Sequence, residues 1–298
     1  MSFTSDVKKE LSSKRPSDRH TEAASYGMLL LCRSFSFEKI LFQTGSREAA
    51  EYFCSLVRRA FDIITDVREG GSSRKNFSVS IDANADRKKV LYRFGYRPED
   101  HINLRSDLLK TEGSIGAFVR GAFLAGGSMS DPEKEYRIDF SFREKSVAQE
   151  FSELLLDRGI SGAKITERAG KSIVYIKDST MVEDLLTLMG ASNETLNLIN
   201  VKIYKSMKNK INRKNNCETR NILKSADAAF LQTQAIKKLK ASGKLELLHD
   251  ELIEAAGLRL ANPSASLSEL CRISGNKLTR SGLNHRLSKL IELSKEVK

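Results

Sequence analysis

Cysteine is scarce in this chain and never clustered. Cys32, Cys54, Cys217 and Cys271 are the only four, and no two of them form a CxxC or a Cys/His group. Zinc sites and disulfide frameworks both need thiols at short, regular spacings, so neither is expected. Four reduced thiols suit a reducing compartment. Long hydrophobic runs are missing as well. The longest uncharged apolar stretch, residues 23–32, falls far short of the roughly 20 residues a helix needs to cross a bilayer. It follows a charged, helix-like start (Asp6, Lys8, Lys9, Glu10) and lacks a convincing cleavage site, so a signal peptide is not expected either. The expected location is the cytoplasm, with no membrane partner.

Negative charge is in deficit. Fifty Lys and Arg stand against 38 Asp and Glu, a net charge of +12 over 298 residues. A basic balance favours an anionic partner, most often nucleic acid. With 40% hydrophobic residues the chain can bury a core, and its length suits about two domains.

The chain repeats itself. A segment beginning near Arg19 and another beginning near Ser114 read alike. Each opens with a helix carrying small residues four apart: Ala23 and Gly27 in the first, Ala117, Gly121 and Ala125 in the second. Residues at this spacing share a helix face, and a Gly/Ala stripe lets a second helix approach closely. "SFSFEKILFQT" (34–44) then matches "SMSDPEKEYRIDFSF" (128–142) as strand, turn, strand. In the latter Tyr136, Ile138, Phe140 and Phe142 alternate with Arg137, Asp139 and Ser141, the period of a half-buried strand. Amphipathic helices follow at 47–62 and 146–157. Hairpins come next, pairing "IITDVRE" with "NFSVSID" and "GAKITER" with "SIVYIKD", with "GGSS" and "AGKS" near the turns. A last helix closes each unit, near 85–94 and 181–189. The expected unit is αββαββα, used twice and joined across the small-residue helices in a pseudo-twofold pair of four-stranded sheets.

This arrangement resembles the LAGLIDADG homing endonucleases. "VRGAFLAGG" (119–127) is similar to their signature, with Gly121 at the helix contact, and "SYGMLLLCR" (25–33) aligns on Gly27. In that family each signature helix ends in an Asp or Glu, and the two carboxylates hold divalent metal ions that activate water. The matching positions here are Cys32 and Gly126, and the second signature acid falls on Leu30 and Leu124. The resemblance therefore implies a retained scaffold with no catalytic residue and no metal ligand. Asp131 and Glu38 are the nearest acids that could replace the lost pair. The scaffold reads DNA with a saddle of strands. Arg74, Lys75, Arg137, Arg143, Lys164, Arg168 and Lys171 fall on or beside the strands, diluted by Glu38, Asp66, Asp139 and Glu167.

After Gly190 the composition shifts. "NVKIYKSMKNKINRKNNCETRNILK" (200–224) reads as a basic surface or mobile helix with a thin apolar stripe of Ile203, Met207 and Ile211. Lys202, Lys205, Lys208, Lys210, Arg213 and Lys214 are the candidate phosphate contacts of this bridge. Two amphipathic helices are expected next. The first covers 221–240, with Ile222, Ala226, Ala229, Phe230, Ile236 and Leu239 inward, and the second covers 244–257. Ser266 and Glu269 then form a capping box, Gly275 breaks the short helix that follows, and Thr279 caps another with Leu283, Leu287, Leu290 and Ile291 buried. This is helix-turn-helix order. Lys277, Arg280, Ser281, Asn284, His285, Arg286, Ser288 and Lys289 are the candidate DNA-binding residues. Small polar and cationic groups at a recognition helix suit base edges and phosphates. His285 has no sequence neighbour that would make it a catalytic base or a ligand.

The fold class expected is therefore α+β: a pseudo-twofold LAGLIDADG-like αββαββα repeat, followed by an all-α helix-turn-helix domain. The boundaries run as an N-terminal helix at 1–18, halves at 19–97 and 114–190, a linker at 98–113, a basic bridge at 191–218 and a helix-turn-helix domain at 219–298. This order resembles the bacterial WhiA family over essentially the whole chain, carried by "GAFLAGGSMSDPEKEY", "NCETRNILKSADAA" and "SGLNHRLSKL". The resemblance implies a DNA-binding transcriptional regulator linked to sporulation, cell division and chromosome segregation, with double-stranded DNA as partner and no cofactor. It also implies a nucleoid-associated location and, in some lineages, an iron–sulfur partner of the WhiB type. Two other readings stay open: a residual metal-dependent nuclease using Asp131 or Glu38, and an interaction module that docks a cell-division protein.

Overall fold

Two glycines decide how the first part of the chain is assembled. The computed structural model describes residues 2–70 and 76–296. Helix α2 (Asp18–Leu30) packs on helix α5 (Glu112–Gly126). A Cβ on Gly27 would lie 2.0 Å from the Phe118 carbonyl oxygen and 2.9 Å from the Ala122 nitrogen. A Cβ on Gly121 would lie 2.2 Å from the Ala24 oxygen and 3.0 Å from the Met28 nitrogen. Each glycine thus rests on the carbonyl three residues before the other and the amide one residue after it, as a local twofold axis requires. Ala24 and Ala122 flank the contact, whereas the expected Ala125 is only half-buried.

Around this pair the two halves repeat. The first runs β1 (Ser34–Phe35), β2 (Ile40–Thr44), α3 (Arg47–Phe61), β3 (Arg68–Gly70), β4 (Asn76–Ile81) and α4 (Asn84–Arg93). The second runs β5 (Gly127–Met129), β6 (Ile138–Phe142), α6 (Lys145–Leu156), β7 (Lys164–Arg168), β8 (Lys171–Ile176) and α7 (Ser179–Met189). Each forms a four-stranded antiparallel sheet, in the orders β1-β2-β4-β3 and β5-β6-β8-β7. The αββαββα order read from the sequence is the observed one. Period-two burial places Ile40 and Phe42 with Val79 and Ile81, and Ile138, Phe140 and Phe142 with Val174 and Ile176, against the covering helices. Aromatic contacts lock helix to sheet: Phe42 to Phe53 at 4.9 Å and Phe140 to Phe151 at 4.9 Å between ring centres.

Two expectations need correction here. The strand expected over "IITDVRE" is only Arg68–Gly70, because Asp62 ends α3 in the left-handed region (φ 53°) and residues 62–67 carry the chain back to the sheet edge. Tyr136 precedes β6, since the turn closed by hydrogen bonds from Lys134 and Glu135 to the Asp131 carbonyl delays the strand. Part of the "GGSS" turn, residues 71–73, lies outside the described residues. The expected linker at 98–113 is held firmly: the Tyr26 hydroxyl donates to the Asn103 carbonyl (2.9 Å) and accepts from the Arg105 N–H (2.9 Å). Burial pushes the Tyr26 phenol well above its usual pKa and the Tyr96 phenol up to about 12.

Helix α1 (Phe3–Ser13) docks on the second half through Thr4, whose hydroxyl donates to the Met129 carbonyl (2.7 Å) and accepts from the Met129 N–H (2.8 Å). Its Glu10 carboxylate accepts from the N–H groups of Asn193 and Glu194 at 2.9 and 3.0 Å, capping the positive end of helix α8 (Ser192–Ala241). Helix α8 is 50 residues long. No break separates a bridge from a following helix, because neither Gly nor Pro occurs between Ala191 and Gly243. Ile222, Ala226 and Phe230, expected inward, are exposed. Ala229, Ile236 and Leu239, also expected inward, are buried, together with Gln232 and Ala235.

The chain divides into two compact units, Met1–Tyr204 and Lys205–Lys298. In the second, α8 ends at Ala241, Gly243 (φ 68°) turns the chain, and α9 (Asp250–Ala261), α10 (Leu267–Ile273) and α11 (Arg280–Lys295) follow. The helix expected over 244–257 is therefore displaced toward 250–261. Ile236, Leu239, Ala255, Ala256, Leu270, Leu283, Leu287 and Leu290 form the core, with Ile291 only half-buried.

The glycine contact yields a direct test. Gly27→Ala and Gly121→Ala should each lower unfolding free energy by about 1–3 kcal/mol or more in denaturant titrations. Gly45→Ala, with nothing near its Cβ position, should leave stability within about 0.5 kcal/mol. A second test uses Lys8, which lies 5.9 Å from the Phe123 ring centre and whose pKa burial lowers to about 8. Between pH 8 and the ordinary lysine value the unfolded state binds more protons, so stability should rise with pH across that window and be flat for this group below it. Lys8→Met should remove the rise and raise stability at pH 7, read from unfolding curves across pH.

Candidate nucleic-acid interface

The ends of α2 and α5 meet where the endonuclease resemblance places its metal ligands. The Cys32 thiol donates to the Ser34 carbonyl at 2.8 Å, and burial pushes its pKa up to about 12. A thiol is a soft donor and does not replace the hard carboxylate oxygen that magnesium or calcium needs. Gly126 contributes no side chain, and a Cβ there would lie 2.9 Å from the Ser141 oxygen and 3.0 Å from Leu31 Cδ2. Leu30 and Leu124 are buried in the core. Among the described residues no three His, Cys, Asp or Glu side chains converge as a metal site. Asp131 is exposed and accepts from the Glu133 N–H (2.9 Å) in its own turn, while Glu38 stands exposed between β1 and β2. Neither lines the pocket of about 470 Å³ between the helix ends, so the donor set does not fit a divalent cation.

Strand register sorts the saddle charges. Lys164 is opposite Tyr175, and Arg168 opposite Lys171, so these cations share the outer face with Thr166, Ile173, Ser141 and Asp139. Glu167 is opposite the buried Ser172, turned from that face, and pairs with Lys145 at 3.1 Å. Asp139 is neutralised by Arg137 at 2.8 Å, and the same guanidinium lies 4.5 Å from the Tyr175 ring centre. Asp66 lies in the segment before β3, off the ladder. The expected acidic dilution of the second sheet is thus largely cancelled. Its counterpart presents neutral groups, Gln43, Ser78 and Ser80, beside Arg68, which pairs with Asp82 at 2.8 Å. Arg74 and Lys75 lie outside the described residues.

The bridge cations separate as well. Lys202 pairs with Glu183 of α7 at 2.6 Å and belongs to the packing of the first unit, and Lys205 is half-buried. Lys208, Lys210, Arg213 and Lys214 are exposed on α8, Lys214 being 4.0 Å from Glu218.

In the second unit the helix-turn-helix punctuation is present. The Ser266 hydroxyl accepts from the Glu269 N–H (3.3 Å) and the Glu269 carboxylate from the Ser266 N–H (2.7 Å). Gly275 and Asn276, at φ 68° and 58°, turn the chain, and Thr279 caps α11 by accepting from the Gly282 N–H at 3.1 Å. Lys277, Arg280, Ser281, Asn284, His285, Ser288 and Lys289 are exposed, with Lys289 in a surface pair with Glu292 at 3.3 Å. Arg286 departs from the expected surface. Its side chain is 21% exposed and pairs with Glu251 of α9 at 2.9 Å, so it ties α11 to α9. Sequence reasoning missed Arg259, 1% exposed, which donates to the carbonyls of Ala265 (2.6 Å) and Asn262 (3.3 Å) and shapes the turn into α10. The only signal was its place on the buried stripe of Ala255 and Ala256.

Comparison with known proteins decides the family. The description "WhiA LAGLIDADG-like domain" matches residues 115–208, and "WhiA C-terminal HTH domain" matches 211–294. The chain is 34% identical to the probable cell division protein WhiA of Ruminiclostridium cellulolyticum, over 100% of this chain and 98% of that protein. The chain belongs to the WhiA family. A WhiA relative from Clostridium novyi is 32% identical over 100% of this chain and 99% of its own. The crystal structure of full-length DUF199/WhiA from Thermotoga maritima superposes with a TM-score of 0.62 at 20% identity, covering 100% of this chain and 99% of that one. That of the N-terminal LAGLIDADG domain of DUF199/WhiA gives 0.51 at 19% identity, over 63% and 92%. The WhiA fold is therefore shared, α+β in front and helix-turn-helix behind.

Restoring a carboxylate tests the reading of the helix ends. Gly126→Asp should cost about 1–3 kcal/mol of stability through the clash with Ser141 and Leu31. It should gain no magnesium-dependent cutting of duplex DNA, which a denaturant titration and a plasmid-nicking assay would show together.

Proposed function

We propose that this WhiA-family chain is a sequence-specific DNA-binding transcriptional regulator without nuclease activity, acting in cell division and chromosome segregation. The observation that carries the reading is α11. Its buried face (Leu283, Leu287, Leu290) is used up in the core, and its exposed side presents Arg280, Ser281, Asn284, His285 and Ser288. Arg and Asn are the side chains whose paired donors and acceptors match guanine and adenine edges in the major groove. Lys208, Lys210 and Arg213 supply exposed charge for phosphates, whose neutralisation releases counterions. The names of the relatives support the cellular process, and the donor set at Cys32 and Gly126 supports the absence of cutting.

Selection from randomised duplex DNA by the full chain, with magnesium present, tests this. Wild type should recover one motif and leave the DNA intact. Arg280→Ala and Asn284→Ala should relax the motif and cost about 1–3 kcal/mol each, roughly 10- to 100-fold. Lys208→Gln should instead weaken all sequences alike and reduce the salt slope by about 0.9. An unchanged motif in both α11 variants, or cut duplexes with wild type, would overturn the reading.

A further inference from the structure

We propose that the pocket between the two sheets is a phosphate site that works without a metal ion. It lies at the converging ends of α2 and α5, has a volume of about 470 Å³, and is lined by Arg33, Arg143 and Lys171 together with Gln43 and Gly126. No carboxylate lines it. Among the described residues none of the three cations is in an ion pair, although other cations on or beside the two sheets are, as in Arg68–Asp82, Arg137–Asp139 and Lys145–Glu167.

Charge counting decides what such a pocket attracts. Two helix carboxyl ends point toward it, each worth about −0.5 of a unit charge. Three cationic side chains contribute +3, leaving about +2 in favour of an anion. Geometry then favours phosphate over a simple halide. The Arg143 guanidinium donates from Nη1 to the Arg33 carbonyl at 2.6 Å, and the Arg33 guanidinium donates to Gln43 Oε1. These bonds fix both side chains at the rim while using one of the five N–H donors of each. Planar guanidinium forks fit the tetrahedral oxygens of phosphate, and Lys171 adds a point charge from the start of β8. Gly126 contributes only backbone to the lining, and Ser141 and Leu31 close on the position a Cβ would take there.

The pocket is continuous with the polar outer faces of the sheets, carrying Gln43 on one side and Ser141 and Lys171 on the other. A backbone phosphate of duplex DNA is thus the favoured source. This part rests on the DNA-binding reading above, whereas the phosphate chemistry does not. A soluble phosphorylated compound would use the same groups.

The test uses the full chain, with Lys171→Gln and Arg143→Gln as variants and Arg143→Lys as the conservative one. Lys171 is exposed at a strand end, so its variant should melt within about 2 °C of wild type and keep the experiment readable if Arg143→Gln does not fold. Two quantities are measured: the salt dependence of binding to non-specific duplex without magnesium, and the melting temperature in inorganic phosphate against chloride at matched ionic strength. The expected result is a slope reduced by about 0.9 for each lost cation, kept by Arg143→Lys, and lost equally in an Arg280→Ala background. An unchanged slope, with phosphate raising the melting temperature of wild type but not of Lys171→Gln, would keep the phosphate site and make its source a soluble compound. If wild type bound no DNA at all, the regulatory reading would fail while the phosphate measurement still judged this site. No loss of slope and no phosphate-specific stabilisation would overturn the proposal.

Discussion

The close approach of α2 and α5 at Gly27 and Gly121 is the constraint from which the first unit follows. A backbone oxygen sits where each glycine's Cβ would be, at 2.0 and 2.2 Å, so no side chain can intervene. Contact that tight leaves one relative position for the helices, and each helix delivers its own sheet to one side. The reciprocal offsets then make the two halves equivalent, although their sequences differ at most positions. The same constraint brings Cys32 and Gly126 near one another whether or not they have any chemistry to perform. A scaffold of this kind forms its central pocket from the helix contact alone, whichever side chains line it.

How much of this was legible in the sequence depended on whether the signal was periodic or paired. Period-two and helical patterns are local, and they exposed the repeated unit and both sheets. The capping residues Ser266, Glu269 and Thr279 were equally readable, because a cap is made within four residues of itself. Paired features were not. Lys202 reads in the sequence as one more bridge cation, yet it pairs with Glu183 at 2.6 Å, and Arg286 reads as one more cation of the last helix, yet it pairs with Glu251 at 2.9 Å. A surface charge and a clamped one have the same letter. Helix α8 failed for another reason: charge density suggested a boundary, but charge does not break a helix, and no Gly or Pro was present to do so.

Arg286 and Arg259 also show what positions α11 in the helix-turn-helix unit. A short helix-turn-helix core of Leu and Ala side chains fixes spacing but not rotation about each axis. The ion pair from Arg286 to Glu251 and the hydrogen bonds from Arg259 to the carbonyls before α10 are directional, and they act on the two elements flanking the turn. Arg259 is buried without a carboxylate, and desolvation lowers its pKa, so carbonyl dipoles alone compensate its charge. Such residues spend cationic side chains on geometry, and Arg286 is the one member of the expected α11 set that is only partly exposed.

The same accounting explains how one pocket can change the sign of its ligand without moving the backbone. Two helix carboxyl ends alone form a mildly negative site, about −1 in total, which two carboxylates would deepen to about −3 and suit to divalent metal. With a neutral thiol at Cys32 and no side chain at Gly126, no such charges are present, and Arg33, Arg143 and Lys171 outweigh the helix ends. The Arg143 bond to the Arg33 carbonyl places a cation beside the end of α2, so the dipole there is answered by protein rather than by a bound ion. Because the Ser141 carbonyl and Leu31 close on Gly126, a carboxylate cannot return there without displacing β6 or α2. Packing therefore holds the pocket in its present charge state.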